Sequence, residues 1–410
     1  MITEPIDLPC GVTLPNRLAK SALSEQLAER SHAPGDRLVR LYQRWGASGC
    51  GLLATGNVMV DGRALGEPAN VVVEDDRDRT RLMRWARAAQ STGAKAIVQI
   101  NHPGRQSPRS LSPHPVAPSA VPLRGLGGVF ATPRALTVPE IHELVRRYAR
   151  TAQIVTDAGF DGVQLHAAHG YLISQFLSPH VNRRDDAYGG DPERRRRFLL
   201  ELVAATRDAI GPGRILSVKL NSADFQRGGF TEEESIEVAR ALGTAGVDLL
   251  EISGGTYEKA AMMGVTRRES TRQREAYFLD FAERLRREVD IALWVTGGFR
   301  SREGMDEALR SGAVDLIGLG RPLAVQPDFP RRLLAGEVDR IDGITAKRVG
   351  TRKLDGMAET VWYTTQLWRM GDGKEPALGR PAAVGVGHYL LAGQLPAAVR
   401  GLAPRRVRSR

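Results

Sequence analysis

The run Asp248-Leu249-Leu250-Glu251-Ile252 is almost continuously apolar. Such a strand suits a parallel sheet that is covered on both faces, because both sides of the strand are then buried. Seven other short apolar runs share this character, and amphipathic helical stretches separate them. The predicted strands are Arg17–Leu23, Gly51–Thr55, Ala94–Ile100, Gly162–His166, Ile215–Leu220, Asp248–Ile252, Ala292–Val295 and Asp315–Leu319. Eight strands that alternate with helices predict a (β/α)8 TIM barrel.

The helical stretches agree with this architecture. Thr231 followed by Glu234 has the spacing of a capping box, which predicts a helix start. The predicted helices are Asp36–Ala47, Arg77–Ser91, Pro139–Asp157, Pro192–Ile210, Glu232–Thr244, Gln273–Val289 and Arg302–Ser311. A doubly wound Rossmann sheet is the alternative. No GxGxxG follows any of the strands, since Gly125, Gly127 and Gly128 lie in a loop rich in proline and glycine.

Two regions exceed a minimal barrel in this chain of 410 residues. The stretch Asn101–Val138 carries seven prolines, and it is predicted to form a long functional lid or a small excursion after strand 3. Residues 1–335 are predicted to form the barrel, and residues 336–410 a partly helical C-terminal extension with a basic tail. The extension contains three aromatic residues, Trp362, Tyr363 and Trp368, that can pack on the barrel or on another subunit. The sequence is therefore compatible with a homo-oligomer.

The amino-acid composition and charge exclude several classes of protein. Hydrophobic residues make up 42% and charged residues 26%, so disorder is excluded. The net charge of +11 invites a nucleic-acid hypothesis, but the excess is scattered and no nucleic-acid-binding motif accompanies it. No apolar run reaches about 18 residues, and the N-terminus lacks a signal-peptide pattern. We therefore expect a cytoplasmic protein without a nucleic-acid or membrane partner.

Catalytic groups of such barrels lie at the carboxyl ends of the strands and in the loops that follow. The residues found there are Ser24, Gln99, His166, His169, Tyr171, Lys219, Gly297, Gly298, Gly320 and Arg321. The glycines of the last two strands suit a phosphate cradle, and Arg321 adds a forked charge. The alternative is that these glycines only turn tight loops. A lone histidine is usually structural, and His-x-x-His lacks a third metal ligand.

Three stretches carry a family resemblance. They are Leu-Pro-Asn-Arg-Leu-Ala-Lys-Ser-Ala (14–22), Val-Gln-Ile-Asn-His-Pro-Gly-Arg-Gln (98–106) and the run 160–190, which contains Asp-Gly-Val-Gln-Leu-His-Ala-Ala-His-Gly-Tyr-Leu. Over about residues 5–330 the chain resembles the old yellow enzyme family of FMN-dependent ene-reductases, also called NADH:flavin oxidoreductases. The resemblance implies bound FMN, NAD(P)H as hydride donor and a small enone-type substrate.

The resemblance also implies roles for single residues. Ala22, Leu23 and Ser24 match the segment at the O4/N5 edge of the flavin. Asn57 matches a contact to the isoalloxazine, Gln99 a hydrogen bond to its pyrimidine ring, and Lys219 the cation beside N1 and O2. The phosphate cradle would comprise Gly297, Gly298, Gly320 and Arg321.

His166 and His169 match the pair that grips the substrate's carbonyl oxygen. Tyr171 matches the acid that protonates Cα while hydride from N5 reaches Cβ. Gln26 is expected near the substrate, where Glu25-Gln26 replaces an aromatic-containing pattern of some members. Ser24 stands where many members carry threonine or cysteine.

Two alternatives accompany this interpretation. Some relatives carry an iron–sulfur site after the barrel, but Cys10 and Cys50 cannot supply one, so no iron–sulfur cluster is expected. Outside redox chemistry, the chain could be a phosphate-binding barrel, either an aldolase with Lys219 as Schiff-base nucleophile or a flavin carrier.

Overall fold

Eight parallel strands close into a barrel in the computed structural model, which describes residues 1–124, 128–255, 278–341 and 352–391. The strands are β1 (Leu18–Lys20), β2 (Leu52–Ala54), β3 (Lys95–Asn101), β4 (Gly162–Ala167), β5 (Ile215–Asn221), β6 (Leu249–Ser253), β7 (Ala292–Thr296) and β8 (Leu316–Leu319). Each strand pairs with the next one in the chain, and Ile317 of β8 lies opposite Leu18 of β1, which closes the barrel. The predicted (β/α)8 barrel is confirmed.

Helices surround the barrel. They are α1 (Asp36–Gly46), α2 (Arg79–Ala89), α3 (Val138–Asp157), α4 (Leu172–Leu177), α5 (Pro192–Ile210), α6 (Glu232–Thr244), α7 (Leu279–Arg286), α8 (Arg302–Arg310), α9 (Arg321–Val325), α10 (Phe329–Leu334), α11 (Arg352–Gly371) and α12 (Ala382–Tyr389). Two of them, α9 and α11, also reach the carboxyl ends of the barrel strands. The predicted capping box of Thr231 and Glu234 starts α6, because each side chain bonds the other's backbone N–H. No helix of the described residues has the length and apolarity needed to cross a bilayer.

Some predicted features lie outside the described residues. These are Gly125 and Gly127, the start of the helix predicted at Gln273, and the basic tail beyond residue 391. The long stretch after β3 is described apart from residues 125–127. It contains a 3-10 turn (Gly104–Gln106) and two short strands (Val116–Ala117 and Arg134–Ala135) that pair with each other. It therefore forms a small excursion with structure of its own.

The N-terminal hairpin closes the end of the barrel at which the strands begin. Its strands Ile6–Asp7 and Thr13–Leu14 are antiparallel. Leu8 and Leu14 pack with Leu52, Ile215 and Leu249, which stand at or near the beginnings of their strands. This apolar plug leaves the opposite, carboxyl end of the barrel to the polar residues. Two further short strands, Val58–Met59 and Val71–Val72, extend the sheet beside β3.

The C-terminal extension packs on the barrel through α11. Trp368 Nε1 donates a hydrogen bond of 2.9 Å to the carbonyl oxygen of Glu25, and Trp368 stacks on Tyr389 with ring centroids 5.6 Å apart. Thr364 Oγ1 donates to the carbonyl oxygen of Ser24 over 3.4 Å. An ion pair of 2.6 Å between Arg37 and Asp372 fastens the end of α11 to α1. The aromatic cluster thus covers the segment that follows β1.

Candidate active site

A cavity of about 320 Å³ opens at the carboxyl ends of the strands. This volume lies within the range of about 300–1,000 Å³ that is usual for small-molecule sites. The predicted site residues that line it are Ala22, Leu23, Ser24, Asn57, Gln99, His166, His169, Tyr171, Lys219, Gly297, Gly298, Gly320 and Arg321. Residues from the ends of separate strands are therefore brought together in one cavity, as the barrel fold requires.

Gln26 takes a different position from the other predicted site residues and does not line this cavity. Its Nε2 donates to Glu67 Oε1 over 3.2 Å, and its Oε1 accepts from the Tyr389 hydroxyl over 2.9 Å. Glu67, which lines the cavity, has its pKa raised by burial. Gln26 thus links the wall of the cavity to α12 of the extension.

His166, His169 and Tyr171 form one cluster. The ring centroid of His166 lies 5.0 Å from that of His169 and 4.8 Å from that of Tyr171. His166 Nδ1 accepts the backbone N–H of Ala168 over 3.3 Å, so a neutral ring carries its proton on Nε2. His169 has a φ of 60°, and its N–H bonds Asn221 Oδ1 over 3.1 Å. This left-handed turn returns the second imidazole to the side of the first.

Both imidazoles are held in the neutral form. Burial lowers the pKa of His166 well below its usual value, and the neighbouring His169 and Lys219 lower it further. Burial and Lys219 do the same to the pKa of His169. His169 Nε2 lies 2.6 Å from Ser253 Oγ, and Ser253 also lines the cavity. The cluster can therefore offer uncharged hydrogen-bond donors near neutral pH.

A chain of hydrogen bonds joins side chains that lie on or directly after six of the barrel strands, and it meets at Glu251. Lys219 Nζ lies 3.0 Å from Glu251 Oε1, which also accepts from Thr296 Oγ1 over 2.7 Å. Gln164 Nε2 donates to Glu251 Oε2 over 3.0 Å. The chain continues over 2.7 Å from Gln164 to Gln99, and over 2.7 Å from Thr296 to Ser21. We call this set the polar belt: Ser21, Gln99, Gln164, Lys219, Glu251 and Thr296.

The loops after β7 and β8 form a further part of the cavity wall. Gly297 and Gly298 have φ angles of 118° and 101°, a conformation that side chains rarely tolerate. Arg321 opens α9 and pairs with Glu359 of α11 over 2.9 Å. Burial raises the pKa of Tyr363, against the effect of the nearby Arg321. This side thus combines backbone that only glycine adopts readily with a fixed cation.

Sequence reasoning missed several residues of the cavity. The extension contributes Glu359, Thr360, Tyr363, Thr364 and Leu367, and the barrel contributes Ser21, Glu67, Ser253, Phe278, Thr296 and Arg300. Glu251 does carry a sequence signal, since it is a charged residue flanked by Leu249, Leu250 and Ile252. For the extension residues, the aromatic cluster around Trp368 was the only local signal of packing.

Glu25, the partner of Gln26 in the sequence, has a supporting position. Its Oε1 accepts the hydroxyl of Tyr42 and, over 2.8 Å, the N–H of Gly56. Burial raises the pKa of Glu25, while Lys20, 3.9 Å away, opposes that rise. Burial lowers the pKa of Lys20 to about 8. These contacts join the Ser24 segment to the segment that carries Asn57.

The fold and the lining define a (β/α)8 barrel protein with a polar ligand cavity at the carboxyl ends of its strands. Residues 2–339 match the NADH:flavin oxidoreductase / NADH oxidase family. The chain therefore belongs to this family, that of the old yellow enzymes, and is a flavin-dependent oxidoreductase.

Individual relatives support the family assignment. The NADH-dependent flavin oxidoreductase iliE of Hypocrea jecorina is 38% identical over 355 residues, which cover 80% of this chain and 88% of that protein. NADPH dehydrogenase of Geobacillus sp. is 32% identical and covers 78% of this chain and 90% of its own length. Morphinone reductase in complex with tetrahydroNAD superposes with a TM-score of 0.68 at 27% identity, over 83% of this chain and 92% of that chain.

Proposed function

We propose that this chain binds FMN in the cavity and reduces the activated C=C bond of an α,β-unsaturated carbonyl compound with NAD(P)H. The observation that supports it best is the joint presence of Lys219 and Gln99 with the His166, His169 and Tyr171 cluster in one cavity. The first two suit the pyrimidine edge of a flavin. The cluster suits a carbonyl oxygen and the carbon next to it. Bound FMN would supply two-electron hydride chemistry between NAD(P)H and the substrate carbon.

The donor set fits FMN. Lys219 is a cation and Gln99 an amide, so together they can bond a ring edge that carries both carbonyl oxygens and an N–H group. Arg321 and the loop of Gly297 and Gly298 supply a forked charge and accessible backbone for a phosphate group. Both groups line the same cavity.

The chain's own residues would handle the substrate as follows. His166 Nε2–H donates to the carbonyl oxygen, which polarises the alkene and stabilises the charge that develops on that oxygen. His169 bonds the same oxygen, with Ser253 holding its ring. The hydroxyl of Tyr171 gives its proton to Cα, and solvent later returns one to the phenolate.

The aldolase alternative fits the site less well. A Schiff-base lysine attacks as a free, neutral amine. Lys219 Nζ instead bonds the fully buried carboxylate of Glu251 at 3.0 Å. The lysine is therefore held as a partner in the polar belt.

Spectroscopy under anaerobic conditions tests the proposed function. The purified protein should be yellow, lose its flavin absorbance on addition of NAD(P)H, and recover it when an enone is added. A colourless protein that cannot be reconstituted with FMN would contradict the cofactor assignment. Recovery with oxygen but with none of a panel of enones, nitroalkenes and dienoyl esters would contradict the substrate class.

Replacement of Arg321 by alanine should weaken FMN binding by about tenfold to a hundredfold. A hydrogen-bonded charged partner of the phosphate contributes roughly 1.5–3 kcal/mol. Equilibrium dialysis followed by fluorescence of the released flavin measures the loss. Glu359→Gln is the matched control, because it breaks the same ion pair to α11 but keeps the guanidinium. Equal losses in both variants would show that Arg321 acts only through α11.

A further inference from the structure

The direction of every hydrogen bond in the polar belt follows from Glu251. A carboxylate only accepts, so each neighbour must turn a donor toward it. Gln164 does so with Nε2, which leaves its Oε1 to accept from Gln99 Nε2 over 2.7 Å. Gln99 is thereby oriented with Oε1 as an acceptor for a ligand, and no described residue donates to that atom. One carboxylate thus fixes, through two amides, which atom the cavity wall presents.

Glu251 also controls the charge of this wall. Glu251 is fully buried and Lys219 is 5% exposed, so their 3.0 Å ion pair is poorly screened by water. The pair carries no net charge. Without Glu251, the wall would hold an uncompensated cation beside any bound ring.

We propose that Glu251 is a positioning residue that sets the reduction potential of the bound flavin, by neutralising Lys219 and by orienting the Gln99 amide. This inference rests on the proposed function, since it requires a flavin next to Lys219. Electron uptake adds negative charge to a ring, which a nearby cation favours and a nearby carboxylate opposes. Glu251 therefore lowers the potential that Lys219 alone would produce.

The test is a thermodynamic cycle on the flavin-loaded protein. Glu251→Gln should shift the two-electron reduction equilibrium toward the reduced form by about tenfold, which is about 30 mV. Lys219→Met should shift it in the opposite direction by a similar factor. The double variant, again without net charge, should return to within about threefold of the wild-type constant. Each value is read from equilibration with a reference dye of known potential, and the FMN dissociation constant is measured in parallel.

Asp248→Asn is the matched control. Asp248 is a buried carboxylate adjoining the same strand, but it pairs with Arg207 over 2.6 Å at the opposite end of the barrel. The Asp248→Asn variant should have a lower melting temperature and an unchanged reduction potential.

Two results overturn the inference. One is a Glu251→Gln protein that binds FMN with an unchanged or lower potential, and the other is a shift of the same size in Asp248→Asn. If Glu251→Gln fails to fold, an unchanged potential in Lys219→Met overturns it instead. Absence of FMN binding by the wild type contradicts the proposed function itself.

Discussion

Replacement of Tyr171 by phenylalanine should slow reoxidation of the flavin by an enone by about 10²–10⁴-fold, because a general acid contributes a factor of that size. Flavin reduction by NAD(P)H should stay nearly unchanged, since hydride transfer from the nicotinamide needs no proton from this residue. Tyr171 is buried and its ring lies 4.8 Å from that of His166, so loss of one oxygen atom should leave the cluster packed. Stopped-flow measurement of the two half-reactions separates these effects.

Tyr188→Phe is the control for this experiment. Tyr188 is also buried, but its hydroxyl donates to Glu201 over 2.9 Å and does not line the cavity. It should leave both half-reactions at the wild-type rate. If Tyr171→Phe slows both half-reactions equally, the role as proton donor is wrong and a general disturbance of the site is the better explanation.

Replacement of His166 or His169 by alanine should weaken phenol binding by about tenfold to a hundredfold each. A hydrogen bond to a charged oxygen contributes roughly 1.5–3 kcal/mol, and the phenolate mimics the oxygen of an enone. Titration with p-hydroxybenzaldehyde should produce a long-wavelength charge-transfer band in the wild type. Because the pKa of both imidazoles lies well below the usual value, neither ring should titrate between about pH 6 and 8. Any pH dependence of binding in that interval should therefore follow the phenol.

Other readouts distinguish the oxygen grip from a structural or metal role. The flavin content of both variants should match the wild type, and a chelator should not affect activity. His142→Ala is the control, because His142 contacts Tyr188 over 3.0 Å outside the cavity. An unchanged dissociation constant in the double variant of His166 and His169 would exclude the grip, whatever its effect on the melting temperature.

The barrel could be predicted from sequence because its strands are buried on both faces. Each strand therefore appears in the sequence as a short apolar run. The ends of those strands then gave the location of polar residues such as Gln99 and Lys219. Glu251 belongs to an apolar run in the sequence, and its role follows only from the structure, in which Lys219, Gln164 and Thr296 contact it from three other strands. Such a contact depends on register between strands, which periodicity along one strand does not encode.

The extension shows a second limit of the sequence. Trp368 and Thr364 bond backbone carbonyl groups of Glu25 and Ser24. A carbonyl oxygen has no residue-specific signature, so nothing in the sequence pairs these partners. The contacts of Gln26 join side chains, but Glu67 and Tyr389 are 41 and 363 positions away in the chain, so its place beside Ser24 does not predict them.

The polar belt also determines when, during synthesis of the chain, the site can form. One of its hydrogen bonds joins Ser21 to Thr296, which are 275 positions apart in the chain. At a synthesis rate of about 5–20 residues per second, roughly 15–60 s separate the start of translation from the appearance of Thr296. Until then Glu251 lacks one of its donors, and the barrel cannot close around it. Cofactor capture therefore follows late folding events with high contact order, and a ribosome-bound chain that stops before β7 should not yet retain flavin.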